Sequence, residues 1–258
     1  HDERVIELLW RDAFSAVDEL MPLLSEDYKK LVKAVLALRK YQKEGVNTLI
    51  NRVPETLRGH PVLNFARFKW RLQFGYDDRA YQLLYLLSEK KEYLGRPEIW
   101  GATREKLARK LLWDGDYKNA YDILSSHFVE DIRLRARLEW LAGFVALKKG
   151  NDPNSALSHF QNFIEIVESP ISIGRGYYWL GRAHEALNNL ESARRSYDRA
   201  SKNYTTYYGQ LALEKLGRNL PYDMMKPNIT LQWRNAKFIQ SSVFQAAILM
   251  LAADEKKL

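Results

Sequence analysis

The sequence predicts an all-α protein whose helices pair into hairpins and stack as a right-handed α-superhelix, an α–α solenoid. Three observations carry this. Leu, Ala, Lys, Glu and Arg dominate windows in which apolar residues recur three and four positions apart, the period of a helix with one buried face. Only 13 Gly and 8 Pro interrupt 258 residues, and 46% of the chain is apolar, enough to bury a substantial core. A turn residue followed by an alanine and then a bulky residue recurs four times: Gly75 with Ala80 and Leu84, Gly115 with Ala120 and Leu124, Gly150 with Ala156 and Phe160, Asn188 with Ala193 and Tyr197. The turn positions lie 40, 35 and 38 residues apart. A repeat of that length is a helix hairpin that cannot bury its own apolar face, so its neighbours must stack on it.

The elements follow in order. Val5 to Leu9, Phe14 to Leu24 and Tyr28 to Tyr41 are apolar-periodic helical segments, and Pro54 with Gly59-His60-Pro61 breaks the pattern. Paired helices are then predicted over 62–74 and 77–90, 97–113 and 116–127, 132–149 and 154–168, and 170–187 and 190–202. Pro97, Pro153 and Pro170 fall near helix starts, where the missing N–H of proline costs nothing. In the last pair Gly181, Ala183, Ala193, Tyr197 and Ala200 have the spacing that lets two helices of a tetratricopeptide-like hairpin interlock, with Asn188 and Asn189 in the turn. Beyond Gly217, Pro221 and Pro227 make the stretch to residue 235 loop-like, and Phe238 to Ala253 reads as a last amphipathic helix. Two domains are expected: a superhelical domain over 1–203 and a linker domain over 204–258.

Composition excludes several function classes. The chain has no cysteine, which removes disulfide frameworks, thiolate zinc sites and cysteine nucleophiles together. No run of about 18 apolar residues is present, so no membrane span is expected. The opening HDERVIELLW has no basic region ahead of an apolar one and shows no signal peptide. The five histidines lack metal-site spacing; His184-Glu185 has no second His four positions on. No phosphate loop, dinucleotide fingerprint or nucleophile elbow occurs, so neither cofactor nor metal is expected. The 40 basic and 32 acidic residues give a net charge of +8, a mild bias toward anionic partners. No nucleic-acid-binding motif accompanies that charge, so nucleic acid is not an expected partner.

Several strings together resemble soluble lytic murein transglycosylases of the large, superhelical kind. RVIELLWRDAFSAVDELMPLLS looks like the opening helix pair of that family, with Leu9-Trp10 ahead of an alanine-bearing second helix. PEIWGATREKLARKLLWDGDYKNAYDILSSH is similar to a family stretch in which a Trp precedes an Arg-rich helix and an Ala-Tyr pair precedes a Ser-His; here these are Trp100, Arg104, Arg109, Ala120, Tyr121 and His127. NDPNSALSHF, SPISIGRGYYWLGRAHEAL and TTYYGQLALEKLG follow, the last containing Tyr207-Tyr208-Gly209-Gln210 directly after the final repeat, where the family has its linker. The resemblance implies a periplasmic protein acting on peptidoglycan. In that family a lysozyme-like domain after the linker cleaves between N-acetylmuramic acid and N-acetylglucosamine. One glutamate there acts as acid and then as base, and the product is a 1,6-anhydro sugar. Such a glutamate needs a raised pKa in a partly apolar cleft. Its Glu-Ser motif has two look-alikes, Glu168-Ser169 and Glu191-Ser192; Pro170-Ile171 follows the first, and no Gly-Leu-Met-Gln string occurs anywhere. No catalytic residue is therefore expected here, and the chain should end about where the catalytic domain of the family begins.

Substrate-binding candidates are Tyr207, Tyr208 and Gln210 in the linker string, with Trp100 and Arg104. Trp113, Trp140, Trp179, Tyr177 and Tyr178 offer further rings for sugar stacking, but at repeat positions such as Trp140, Trp179 and Tyr197 a bulky aromatic fills the gap between hairpins. Arg104, Lys106, Arg109 and Lys110 make a basic cluster on one helix, Arg133, Arg135 and Arg137 alternate on another, and a solvated face is the default for both. His127 is expected to cap a helix end. Expected partners are peptidoglycan glycan strands and the catalytic domain of the same protein, with dimerisation of the isolated chain wherever a docking face is left open. The other reading is a free-standing helical-repeat scaffold that binds a protein or peptide.

Overall fold

The computed structural model describes residues 1–220 and 236–253, and every regular element among them is a helix. The N-terminal part is made of short pieces: α1 (Asp2–Trp10), α2 (Phe14–Leu20), α3 (Glu26–Arg39), α4 (Val46–Arg52) and α5 (Glu55–Arg58). The predicted segment from Phe14 to Leu24 stops sooner because Pro22 cannot supply an interior N–H, and Met21–Leu23 tightens into a 3-10 turn. Val5, Val17, Leu31, Val32 and Val53 close a separate apolar core beneath these pieces.

The paired helices then follow, each within a few residues of its predicted span: α6 (Pro61–Gln73) and α7 (Asp77–Leu87), a short α8 (Lys91–Leu94), α9 (Pro97–Trp113) and α10 (Tyr117–Ser125), α11 (Ile132–Lys148) and α12 (Pro153–Ile166), α13 (Pro170–Ala186) and α14 (Leu190–Ser201). The expected prolines, together with Pro61, occupy the first turns of α6, α9, α12 and α13. Each hairpin packs internally and against the next, α10 on α11 and α12 on α13.

The turn units align more closely than the sequence indicated. Gly75, Gly115 and Asn188 adopt left-handed backbone, but in the third unit the left-handed residue is Asn151, one beyond Gly150. Counted from the left-handed residue, all four alanines fall five positions on and all four bulky residues nine positions on. Ala80, Ala120, Ala156, Leu84, Leu124 and Phe160 have no exposed surface, and Ala193 and Tyr197 keep 3%. Fully burying a side chain such as Leu84 or Phe160 contributes about 1.5–3 kcal/mol. The residue after the left-handed one closes the helix behind it: Asp116 N–H donates to Leu111 O at 2.8 Å and Asn189 N–H to His184 O at 3.0 Å. The side chain of that same residue opens the next helix, with Asp116, Asp152 and Asn189 accepting from the N–H of Asn119, Ser155 and Ser192. Two helices approach closely where a glycine faces a ring: a Cβ on Gly143 would meet Phe160 at 2.7 Å, and one on Gly181 would meet Tyr197 at 2.5 Å.

The linker string forms a further helix, α15 (Tyr207–Lys215), which packs on α13 and α14. The first compact unit thus runs from His1 to Leu216, past the boundary expected after residue 203. In the second unit, Gly217–Leu258, α16 (Ser242–Ala252) packs on the 3-10 turn Lys237–Gln240, with the Phe238 and Phe244 rings 5.1 Å apart. The break expected at Pro221 and Pro227 lies outside the described residues.

Candidate functional site

Two of the expected substrate-binding residues turn inward, away from any ligand. Trp100 and Arg104 have no exposed surface. Trp100 lies against Phe65 and Phe68 at ring distances of 4.9 and 5.0 Å, and its Nε1 donates to Leu94 O at 3.0 Å. Arg104 Nη1 donates to Ile123 O and Nη2 to Ser88 Oγ, both at 2.6 Å, so one guanidinium ties α9 to α10 and to the end of α7. Burial pushes the Arg104 pKa down to about 9. Neither side chain offers a surface to a ligand. The signal was in the spacing, because Trp100, Arg104, Leu107, Ala108 and Leu111 mark the inner stripe of α9. The rest of the basic cluster is largely paired: Arg109 and Arg137 share Glu105, and Lys110 meets Asp77 at 2.7 Å.

A buried polar network joins α10, α11 and α12, and the sequence did not announce it. Glu139 is 5% exposed. Its carboxylate accepts from His159 Nδ1 at 2.7 Å and from Asn162 Nδ2 at 3.2 Å, with His127 Nε2 at 3.4 Å and Arg135 Nε at 4.0 Å. Val129 N–H donates to His127 Nδ1, which leaves the other nitrogen of that ring to carry the proton that faces Glu139. His159 Nε2 in turn meets the Tyr121 hydroxyl at 3.2 Å. His127 is thus a member of this network and not the helix cap expected of it. Burial alone would raise the Glu139 carboxyl, but the hydrogen bonds with His127 and His159 outweigh it and hold the pKa at about 2. Beside the network lies a cavity of about 390 Å³, lined among others by Lys91, Ser126, Phe128 and Arg135. Phe128 has a φ of 54°, a costly conformation for a bulky residue, and the His127–Val129 bond holds the bend around it. A carboxylate kept ionised by this many donors is the opposite of the protonated acid that glycosidic cleavage requires. The two Glu-Ser look-alikes serve locally: Glu168 is exposed ahead of Ser169, which caps α13, and Glu191 pairs with Arg195.

The linker candidates stay accessible. Thr206 caps α15 by accepting from Gly209 N–H at 3.2 Å, and a Cβ on Gly209 would overlap the Asn203 carbonyl. Packing therefore explains Thr206 and Gly209, but it leaves Tyr207 at 69% exposure and Gln210 exposed. Tyr208, half-buried, lies 5.5 Å from the Tyr178 ring and 6.5 Å from Trp179. From Trp179 the rings run on to Phe144 at 5.2 Å and Trp140 at 6.5 Å, so an aromatic wall spans α11, α13 and α15. Arg175, half-buried on α13, places its guanidinium 4.7 Å from the Trp140 ring and 5.1 Å from Phe163. Burial lowers its pKa, and the neighbouring Tyr208 works the other way. Trp113, 92% exposed at the end of α9, is not in this wall.

Among the described residues no group of three or more His, Asp or Glu side chains could hold a metal ion, and no helix is long and apolar enough to cross a membrane. No family model, curated protein or solved structure matches the chain significantly.

Proposed function

We propose that this chain is the superhelical, non-catalytic part of a lytic-transglycosylase-like periplasmic protein, and that its stacked hairpins hold a peptidoglycan glycan strand for a catalytic domain. The observation that carries this reading is the pair Tyr207 and Gln210, exposed at the start of α15, with the half-buried Tyr208 beside them resting on the buried rings of Tyr178 and Trp179. Flat rings with polar edges suit the apolar faces and hydroxyl rims of sugars. The resemblance of the TTYYGQLALEKLG string and of the repeats before it to the transglycosylase family supplies the substrate class. Such a protein would act by positioning and not by bond breaking.

Incubation with insoluble sacculi tests this. The chain should pellet with sacculi at physiological salt, release no anhydromuropeptide detectable by mass spectrometry, and lose retention in a Tyr207→Ala/Tyr208→Ala variant. Sacculi that leave the chain in the supernatant would sink the proposal. A second reading, a scaffold for a protein or peptide partner, draws on Tyr85 and Leu86, which are 59% and 58% exposed on α7 beside cavities of about 340 and 420 Å³ shared with α10.

A further inference from the structure

A trough runs between α7 and α10, the second helices of two successive hairpins. Cavities of about 420 and 340 Å³ lie along it and share Tyr85 and Asp122 as lining, so they are continuous. The lining advances together on both sides, from Asp78 through Tyr85 to Glu89 along α7 and from Lys118 through Asp122 to Ser125 along α10. From Lys118 to Ser125 the helix rises about 10 Å, the span of about three residues of extended chain. The trough is open to solvent, for Tyr85 and Leu86 are 59% and 58% exposed. Its charge runs against that of the molecule. The chain carries a net +8, yet Asp78, Glu89 and Asp122 line the trough and none of them is held in an ion pair. Among the described residues Lys118 is the one basic side chain on its walls. Tyr81, on the same wall, feels this field: burial raises its pKa first, and Asp77, Asp114 and Asp78 raise it further while Lys110 opposes them. Past Ser125 and Ser126 the trough meets the cavity beside Glu139, where Lys91 and Arg135 bring positive charge, so the acidic stretch has a defined end.

We infer that this trough docks a short basic segment of a partner polypeptide, whose cationic side chains face Asp78, Asp122 and Glu89 and whose apolar side chain rests on Tyr85 and Leu86. The inference deepens the second reading above and rests on it for the class of partner; it is independent of glycan retention at Tyr207. Covering Tyr85 and Leu86 supplies affinity, and the acids select the sign of the ligand and steer its approach. A polyamine would answer the acids but leave the two apolar side chains uncovered. An uncharged glycan would cover the tyrosine ring but leave three carboxylates without a counter-charge.

The test uses the full chain and three amidated peptides carrying fluorescein at the N-terminus: Lys-Leu-Lys-Leu-Lys, Gln-Leu-Gln-Leu-Gln and Lys-Ser-Lys-Ser-Lys. Binding is read by fluorescence anisotropy at low and at physiological salt. The lysine–leucine peptide should bind saturably and about 10-fold more tightly than the glutamine–leucine peptide, with the gap narrowing as salt rises. Asp78→Asn/Asp122→Asn should weaken it about 3- to 10-fold. Tyr85→Ser/Leu86→Ser should remove the advantage of leucine over serine. A control, Asp18→Asn/Glu19→Gln, removes exposed charges from α2 and should leave binding unchanged. All these side chains are exposed or half-exposed, so every variant should melt within a few degrees of the parent. No saturable binding, or a loss in the control as large as that in the trough variant, would overturn the inference. So would a monomer–dimer equilibrium abolished by Tyr85→Ser/Leu86→Ser, which would make the trough a contact between copies of this chain. Equal binding of the lysine and glutamine peptides that still depends on Tyr85 and Leu86 would keep a protein partner and remove the basic one. Retention on sacculi without any peptide binding would leave the glycan-holding reading standing and sink this one, and peptide binding without retention would do the reverse.

Discussion

Arg104 and Arg175 sit in adjoining parts of one helical array and meet the same physical problem, a guanidinium drawn out of water with no carboxylate partner among the described residues. The α9–α10 region meets it with oxygen at both terminal nitrogens, leaving Nε alone without an acceptor. The Ile123 carbonyl and the Ser88 hydroxyl each accept at 2.6 Å, and the Ser88 O–H donates in turn to Leu84 O, so the buried charge holds three helices together. The α11–α13 region offers the faces of Trp140 and Phe163 and no acceptor. A π face attracts the cation but leaves its N–H groups unsatisfied. The same residue type is thus tied by oxygen acceptors in one place and held against ring faces in the other, and the difference lies in what the neighbouring helix presents to it.

The comparison can be broken most directly at Arg104. Arg104→Ala removes a fully buried side chain and orphans two acceptors, and is expected to cost about 3 kcal/mol or more; Arg104→Met keeps the volume and should recover most of that loss in chemical denaturation. Next in size, Gly209→Ala forces α15 off its seat over Asn203, at a cost of about 2 kcal/mol, and should raise hydrogen exchange in α15 before the rest of the array. Glu139 sharpens the contrast from the anionic side. Its folded pKa of about 2 lies below the ordinary 4.5, so its contribution is complete above pH 4.5 and is lost as pH falls from there toward 2. Glu139→Gln should cost about 1–2 kcal/mol at neutral pH and nearly nothing near pH 2, a convergence that denaturation at a series of pH values would reveal. The smallest change is expected at Arg175, where Gln substitution breaks no hydrogen bond but gives up the ring contacts with Trp140 and Phe163, at a cost of about 0.5–1 kcal/mol. A loss at Arg175 as large as that at Arg104 would erase the distinction between the two arginines.

The hairpins were legible because each turn is followed by an alanine and then a bulky residue, and because Pro97, Pro153 and Pro170 mark helix starts. The sequence of α15 reads as a linker, since its nine residues follow the last repeat and lie outside its period. Arg104 was misplaced by its charge, although its spacing from Trp100 and Ala108 put it on the inner stripe. Glu139 left a fainter trace: it lies four residues before Gly143, the glycine pressed against Phe160, and so on the stripe that faces α12. His127 and His159 come from other elements, and no local spacing brings them to it. Unpaired buried donors such as Nε of Arg104 and of Arg175 are invisible in a sequence, because an absence of partners is a property of packing alone.

The turn between α11 and α12 has one residue more than its counterparts before the left-handed position is reached, and everything after that position keeps its register. The left-handed residue acts as a frame marker. A residue inserted ahead of it lengthens the connection and is absorbed, whereas one inserted between it and the alanine would rotate the following helix by about 100° and present its apolar stripe to water. Length variation among the units of such an array should therefore collect on the upstream side of each turn, which would make that side the natural place to splice in a label or a foreign loop.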